Sequence, residues 1–149
     1  MKEATILVVD DVRIIRRLVK VNLELEGHTV FEAENGKEAL ERIGELKPDL
    51  ILLDVIMPFL DGFQVLKRLR EDEQTRSIPV IMLTSCTEEA NQIKSWEIGI
   101  SDFVAKPFNP NALVSVVNQV LNESDSTKAK EKRSREIAKL QMVKTIKGA

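Results

Sequence analysis

The amino-acid sequence predicts an α/β fold, a doubly wound five-stranded parallel sheet with a C-terminal helical extension. Short apolar runs alternate five times with longer segments of helical periodicity, which is the pattern of βα repeats. Two of the runs, Ile6–Val9 and Leu50–Leu53, contain no polar residue, as expected of strands that are buried on both faces. Five repeats are too few for an eight-stranded barrel, so an open sheet with right-handed crossovers is the expected architecture.

Each element is assigned from its own pattern. The strands are expected at five apolar runs: Ala4–Val9, Thr29–Ala33, Leu50–Leu53, Pro79–Leu83 and Asp102–Ala105. The helices are expected at five segments: Val12–Glu26, Gly36–Leu46, Gly62–Arg70, Glu88–Ile98 and Asn111–Leu121. In the second helix, Asn35 has the chemistry of an N-cap. That helix should end at Lys47, because the residue before Pro48 is disfavoured in the α region.

The totals point to a small soluble protein. Its 149 residues have room for one ordinary domain and a short appendage. With 43% hydrophobic and 31% charged residues, the composition is that of a globular chain. The N-terminus lacks the apolar core of a signal peptide, and no run approaches the ~18 apolar residues that a membrane span needs. We therefore expect a cytoplasmic protein without membrane contact.

Two single residues receive structural interpretations. Cys86 is the only cysteine, which excludes an intramolecular disulfide and fits a reducing compartment. A small buried thiol is favoured over a redox sensor at this position. His28 precedes the second strand without the helical context of a kinase histidine, and it is expected at the surface.

The chain divides near residue 122. Residues 1–122 carry net negative charge and residues 123–149 net positive charge, with a polar stretch between the two parts. We expect a domain over 1–122 and a helical tail over 123–149, with the helix at Lys128–Lys147. Ile137, Leu140, Val143 and Ile146 form its irregular apolar side.

Three roles are open for this tail: a helix that packs on the domain, a short dimerising coiled coil, or a connector to an output domain. Charges of both signs interleave and no aromatic residue is present, so direct nucleic-acid binding is not expected. The sequence ends at Gly148-Ala149 with no stop signal of its own, so truncation of a longer regulator is one interpretation.

Polar residues follow four of the predicted strands. Asp10 and Asp11 follow the first, Asp54 the third, Thr84 the fourth and Lys106 the fifth. With strand order 2-1-3-4-5, the first and third strands are neighbours at the point where ligands bind in open sheets. Three converging carboxylates need a cation, and hard oxygen ligands without His or Cys nearby indicate Mg²⁺ or a similar ion, not zinc. A divalent ion, a lysine and a hydroxyl can hold a phosphoryl group, and one carboxylate can be its nucleophile. Singly, each residue has an ordinary role, such as helix capping by Asp10 or Asp11.

These strand-end residues lie in four longer segments: Val8–Asp11, Leu53–Gly62, Met82–Ser85 and Phe103–Phe108. Together the segments resemble a known family, the response-regulator receiver domains of two-component signalling. The resemblance covers residues 4–122 and implies the flavodoxin-like order 2-1-3-4-5.

The resemblance also assigns roles to residues around the acids. Asp54 would accept a phosphoryl group from the phosphohistidine of a sensor histidine kinase or a phosphotransfer protein. Asp11 would bind Mg²⁺ directly and Asp10 mostly through water, with Asp54 and the backbone carbonyl of Ile56 as further ligands. Lys106 would pair with the acceptor carboxylate and then with the phosphoryl oxygens.

The same resemblance implies a switch. The peptide bond from Lys106 to Pro107 is expected to be cis. Thr84 would hydrogen-bond the phosphoryl group, and the Phe103 ring would turn inward to fill the vacated space. The output surface would be formed by the fourth helix, fifth strand and fifth helix. A homodimer through that surface, or through the C-terminal helix, is one of the alternatives.

Rival functions differ at single residues. A phosphohydrolase with an aspartate nucleophile would have a second acid two residues later, where this chain has Ile56. A degenerate scaffold would lack part of the acidic set or the lysine, and all are present. We therefore expect a signalling phosphoacceptor and no turnover of other substrates. Neither Ile56 nor Cys86 can orient an attacking water well, so self-dephosphorylation should be slow. The chain could also be the receiver part of a longer regulator, for example one with a cyclic-dinucleotide enzyme.

Overall fold

A computed structural model describes residues 3–85, 89–123 and 126–148. Its sheet has five parallel strands in the order β2-β1-β3-β4-β5, which confirms the predicted fold. The strands are β1 Thr5–Val9, β2 Thr29–Ala33, β3 Leu50–Asp54, β4 Val80–Thr84 and β5 Asp102–Ala105. The helices are α1 Arg13–Leu25, α2 Gly36–Leu46, α3 Gly62–Glu71, α4 Glu89–Ile98, α5 Pro110–Asn122 and α6 Ser126–Gly148.

Two apolar layers enclose the sheet. Along β1 the side chains alternate between them, with Leu7 and Val9 in the layer that α2, α3 and α4 cover. Ile6 and Val8 lie in the opposite layer, under α1 and α5. Every residue of β3 and β4 is buried, as the unbroken apolar run of β3 predicts for a central parallel strand. This burial fixes the strands and leaves their carboxyl ends at one edge.

The ends of α2 follow local sequence rules. The Asn35 side chain accepts a hydrogen bond from the Glu38 backbone N–H at 2.8 Å, which confirms the predicted N-cap. Lys47 adopts a left-handed conformation and ends the helix before Pro48.

The alternative in which Asp10 or Asp11 is the N-cap of the first helix is wrong. The N-cap residue of α1 is Val12, which makes no side-chain capping bond. Asp10 instead accepts the Val12 backbone N–H at 2.9 Å, which holds the turn between β1 and α1. Both acids precede the helix and are available for another role.

The surface placement expected for His28 is also wrong. The side chain is 4% exposed, and its Nδ1 accepts the Ala4 backbone N–H at 3.1 Å. Its Nε2 lies 3.4 Å from the Asn118 side-chain oxygen of α5. The imidazole is buried because it joins the start of β1 to α5, a contact between segments that are distant in the sequence.

The tail forms the helix α6, which packs against α4. Of the four residues on its predicted apolar side, Ile137 and Leu140 pack on the core, whereas Val143 and Ile146 are 40% and 70% exposed. Packing on the domain is thus the observed arrangement among the three roles considered for this tail. Within the described ranges, no helix combines the length and apolar character that crossing a bilayer requires.

Candidate functional site

Three carboxylates meet at the carboxyl edge of the sheet. Val9 of β1 pairs with Leu53 of β3, so the residues that follow them, Asp10 and Asp54, lie side by side. With Asp11, they offer carboxylate oxygens that all lie within 4.8 Å of one another. Asp10 and Asp54 are buried, while Asp11 is exposed at the mouth of the group.

Lys106 closes the group from the end of β5. Its Nζ lies 2.6 Å from Asp10 Oδ2 and 3.3 Å from Asp54 Oδ2. Its backbone N–H donates to the Thr84 carbonyl at 3.0 Å, which extends the pairing of β5 with β4, and its bond to Pro107 is cis. Burial disfavours the charged lysine, but hydrogen bonds and charges from Asp10 and Asp54 outweigh it and raise the pKa of Lys106. The side chain therefore carries a fixed positive charge.

The electrostatics of Asp54 show an unbalanced negative charge. Burial, and after it the charge of Asp10, raise the pKa of the Asp54 carboxyl to about 6. The charge and hydrogen bond of Lys106, together with the Ile56 backbone N–H, act in the opposite direction. Lys106 pairs with two of the three acids, Asp10 and Asp54, so a further cation would stabilise the site.

The donor chemistry indicates which cation fits. Among the described residues, this is a group of carboxylates without histidine or cysteine. Oxygen-only donors suit hard divalent ions such as Mg²⁺ and not zinc. The acids can therefore hold a metal ion at this edge of the sheet.

A family comparison identifies this arrangement. Residues 6–118 match the family described as "Response regulator receiver domain". The chain belongs to this receiver family. It is 45% identical over 120 residues to the phosphate regulon transcriptional regulatory protein PhoB of Pseudomonas aeruginosa, covering 80% of this chain and 52% of that protein. It is also 45% identical over 125 residues to the transcriptional regulatory protein ResD of Bacillus subtilis, covering 84% of this chain and 51% of that protein. The chain thus spans about half the length of the curated relatives it matches.

Solved structures agree with this assignment. The chemotaxis response regulator CheY4 of Vibrio cholerae superposes with a TM-score of 0.76 at 34% identity, covering 80% of this chain and 99% of that chain. The receiver domain of Francisella response regulator 1452 gives a TM-score of 0.76 at 34% identity, covering 83% and 100%. The protein is a receiver domain of two-component signalling, a family of phosphorylation-dependent regulators.

The receiver holds its acidic edge with an arginine that sequence analysis missed. Arg16 of α1 donates from Nη1 to the Asp10 carbonyl at 2.8 Å and from Nε to Glu32 of β2 at 3.1 Å. The Arg16 side chain is only 11% exposed. It ties the turn after β1 to the neighbouring strand and so positions Asp10. The available signal was a basic residue one turn into α1 and an acid in β2, but their contact depends on the strand pairing.

Gly62 packs against the backbone of Asp54, a role that its place in the Leu53–Gly62 segment did not indicate. Gly62 begins α3, after the Asp61 capping box, and its N–H donates to the Val55 carbonyl at 2.8 Å. A Cβ on Gly62 would lie 2.3 Å from the Asp54 carbonyl oxygen. Only glycine lets α3 approach this closely, so Gly62 fixes the backbone that carries Asp54.

The two expected switch residues lie on one face of the receiver sheet. Met82 of β4 pairs with Phe103 of β5, and Thr84 follows Met82 by two residues, so all three share a face. Thr84 is fully buried at the strand end, and Phe103 is partly buried against the layer under α2, α3 and α4. Two further residues were expected to affect dephosphorylation. Ile56 follows Asp54 by two positions and is 61% exposed. Cys86, for which a buried thiol was expected, lies outside the described residues.

Proposed function

We propose that this receiver accepts a phosphoryl group on Asp54 from the phosphohistidine of a sensor histidine kinase or a phosphotransfer protein. The observation that carries the proposal is the meeting of three carboxylates with one lysine, whose Nζ is 3.3 Å from Asp54 Oδ2. Asp54 is the acid at the end of the central strand, between the partners contributed by β1 and β5.

The transfer follows from the chemistry of a carboxylate nucleophile. An Asp54 oxygen attacks phosphorus, an O–P bond forms, and the N–P bond of the donor breaks. The donor imidazole leaves with the electron pair and takes up a proton. Lys106 offsets negative charge at Asp54 before transfer and can bind a phosphoryl oxygen afterwards, because its stem is long enough to turn between the two.

Asp10, Asp11 and Asp54 would hold Mg²⁺, with the Ile56 carbonyl as a further ligand. When bound, the ion supplies positive charge that offsets the phosphoryl oxygens. The chain's part is to hold the acids in place. Arg16 does so through the Asp10 carbonyl. Asp11 is exposed to solvent whereas Asp10 is buried, and this difference supports direct binding of Mg²⁺ by Asp11.

Exposed apolar residues beside the acids favour a protein as the donor. On α1, Ile14, Leu18, Val21 and Leu25 are between 40% and 79% exposed, at spacings that place them on one side of the helix. This stripe starts three residues after Asp11. A partner with an apolar helical surface could cover it while it presents a phosphohistidine to Asp54.

Phosphorylation would then act through Thr84 and Phe103. A Thr84 hydroxyl that turns to the phosphoryl group leaves space on the face it shares with Phe103, whose ring can fill it. The affected surface is formed by α4, β5 and α5. This α4-β5-α5 surface would bind a separate partner or an output domain in the same polypeptide. PhoB and ResD are transcriptional regulatory proteins, so control of transcription is one such output.

Intact-protein mass spectrometry tests the acceptor. Incubation with acetyl phosphate and Mg²⁺ should add the mass of one phosphoryl group to the wild-type chain, and chelation of the metal should prevent it. Asp54→Asn should abolish the addition. Asp72→Asn, at the end of α3, is the matched control and should leave it unchanged.

A phosphate-ester hydrolysis assay beside the mass measurement separates the rival functions. Steady hydrolysis of a phosphate ester would favour a phosphohydrolase, and no mass gain in the wild-type chain would favour a scaffold. Mass gain that persists in Asp54→Asn would place the acceptor elsewhere.

A further inference from the structure

Helix α6 lies outside the part of the chain that matches the receiver family, which ends at residue 118. It nevertheless binds the α4-β5-α5 surface. Lys132 Nζ is 2.9 Å from Asp102 Oδ2 of β5 and 2.9 Å from Glu123 Oε1 at the end of α5. Lys132 is only 8% exposed, so the contact that its ammonium group makes is largely buried.

The Lys132 contact is stronger than an ordinary surface pair. Burial disfavours the charged form, but hydrogen bonds and charges from Asp102 and Glu123 outweigh it and raise the pKa of Lys132. Asp102 and Glu123 both pair with Lys132, so removal of the lysine would leave both carboxylates without this cationic partner. This contact therefore holds the first half of α6 in place.

Apolar packing continues the contact along α6. Ile137 and Leu140 pack against the core layer that contains Trp96 of α4 and Ile100. Beyond them, Val143 is 40% exposed and Ile146 is 70% exposed. Among the residues whose side chains the structure describes, the apolar packing of α6 is thus concentrated in its middle turns, and its last turns are held less firmly.

One feature of the interface opposes docking. Arg133 Nε is buried, and within the described part of the chain it has no hydrogen-bond partner. Its guanidinium approaches Arg70 of α3 near Gly99. Burial, and after it the charge of Arg133, lower the pKa of Arg70 to about 10. An unpaired buried group and a like-charge pair both cost free energy, so the docked helix can be displaced.

The Lys132 contact adjoins the expected switch residue. Asp102 Oδ1 accepts the backbone N–H of Phe103 at 2.8 Å, while Asp102 Oδ2 accepts from Lys132. One carboxylate thus connects the backbone of Phe103 with α6. A rearrangement of Phe103 and its strand would alter the geometry that Lys132 requires.

We propose that α6 is an intramolecular occupant of the α4-β5-α5 surface, docked in the unphosphorylated chain and released when Asp54 is phosphorylated. The inference rests on the proposed function, because Asp54 supplies the signal. Release would free the Asp102 side of the surface for a partner and would make α6 itself accessible.

Hydrogen–deuterium exchange on the full chain tests release. Amides of residues 130–146 should exchange on the order of tenfold faster after acetyl phosphate and Mg²⁺ than before, whereas amides of α5 should not change. Intact mass is measured on the same samples. Mass gain with unchanged exchange in α6 would overturn this inference and leave the proposed function standing. A chain that gains no mass would overturn both.

A matched pair of variants tests docking without phosphorylation. Lys132→Met should speed exchange in α6 on the order of tenfold in the untreated chain. Lys139→Met, on the same helix with a side chain 63% exposed, should behave as wild type. Circular dichroism checks that both variants fold. Wild-type exchange in Lys132→Met, or equal acceleration in both variants, would show that this contact does not hold the helix.

Discussion

Lys106 Nζ lies closer to Asp10 Oδ2, at 2.6 Å, than to Asp54 Oδ2, at 3.3 Å. The nearer partner of Lys106 is therefore Asp10, which follows β1, and not Asp54, the proposed phosphoacceptor. Asp10 is fully buried and holds the lysine firmly, which leaves the Asp54 oxygen in a weaker contact. An oxygen that must attack phosphorus benefits from this division, because a tight ion pair would lower its reactivity.

Replacing Lys106 by methionine should slow phosphorylation by roughly 10²-fold, the typical cost of removing one charged group that stabilises a transition state. The chain keeps its other acids, so a residual reaction is expected. The initial rate of mass gain with acetyl phosphate measures the effect. Lys67→Met, an exposed lysine of α3, serves as the control. An equal rate in wild type and Lys106→Met would contradict the role.

The raised pKa of Asp54 predicts a pH-dependent stability in the metal-free chain. Its folded pKa, about 6, lies above the ordinary 3.8. The neutral form is thus favoured by folding, and this stabilisation is present below about pH 4 and lost as pH rises through about 6. Asp54→Asn removes the charge. It should gain stability over wild type across this window, by at most about 3 kcal/mol.

Urea unfolding between pH 4 and 8 in the presence of a chelator checks this sign. Comparison with Asp54→Asn cancels the contributions of the other acids. Added Mg²⁺ should reverse the order at pH 8, because the ion stabilises the wild-type chain more. A stability difference between the two proteins that does not vary with pH would show that Asp54 ionises normally.

Gly62→Ala should destabilise the chain by about 1–3 kcal/mol, the usual cost of overpacking, and should also slow phosphorylation. The added methyl would lie 2.3 Å from the Asp54 carbonyl oxygen, so the backbone of the acceptor must move. Gly44→Ala is a matched control in α2, where a Cβ would meet nothing within 4 Å. It should stabilise the helix by about 1 kcal/mol. Equal behaviour of the two variants would argue against the close approach.

Local patterns predicted most of the fold, because strand burial and helix periodicity can be inferred from short stretches of sequence. The β3 strand and the Asn35 cap are examples. The misplaced His28 shows the limit: its burial depends on Asn118, 90 residues away, and no local pattern reports that contact. The same reason applies to the docking of α6 through Lys132, whose partner Asp102 lies 30 residues away in β5.

Within the site, strand ends predicted which acids converge, since parallel strands share one carboxyl edge. Their supports were not predicted. Arg16 acts through a backbone carbonyl and Gly62 through the absence of a side chain, so neither residue type by itself signals a role.

The residue two positions after Asp54 should control how long the phosphoryl group persists. Ile56 places an apolar side chain, 61% exposed, where an amide could orient water toward phosphorus. We expect slow self-dephosphorylation in the wild-type chain and a rate several-fold higher, up to about tenfold, in Ile56→Asn, because an oriented water is a better nucleophile. Decay of the added mass after removal of acetyl phosphate measures both rates. Leu25→Asn, an equally polar change at the far end of α1, should decay as wild type does. A wild-type half-life of seconds, or an unchanged rate in Ile56→Asn, would show that water reaches the phosphoryl group by another route.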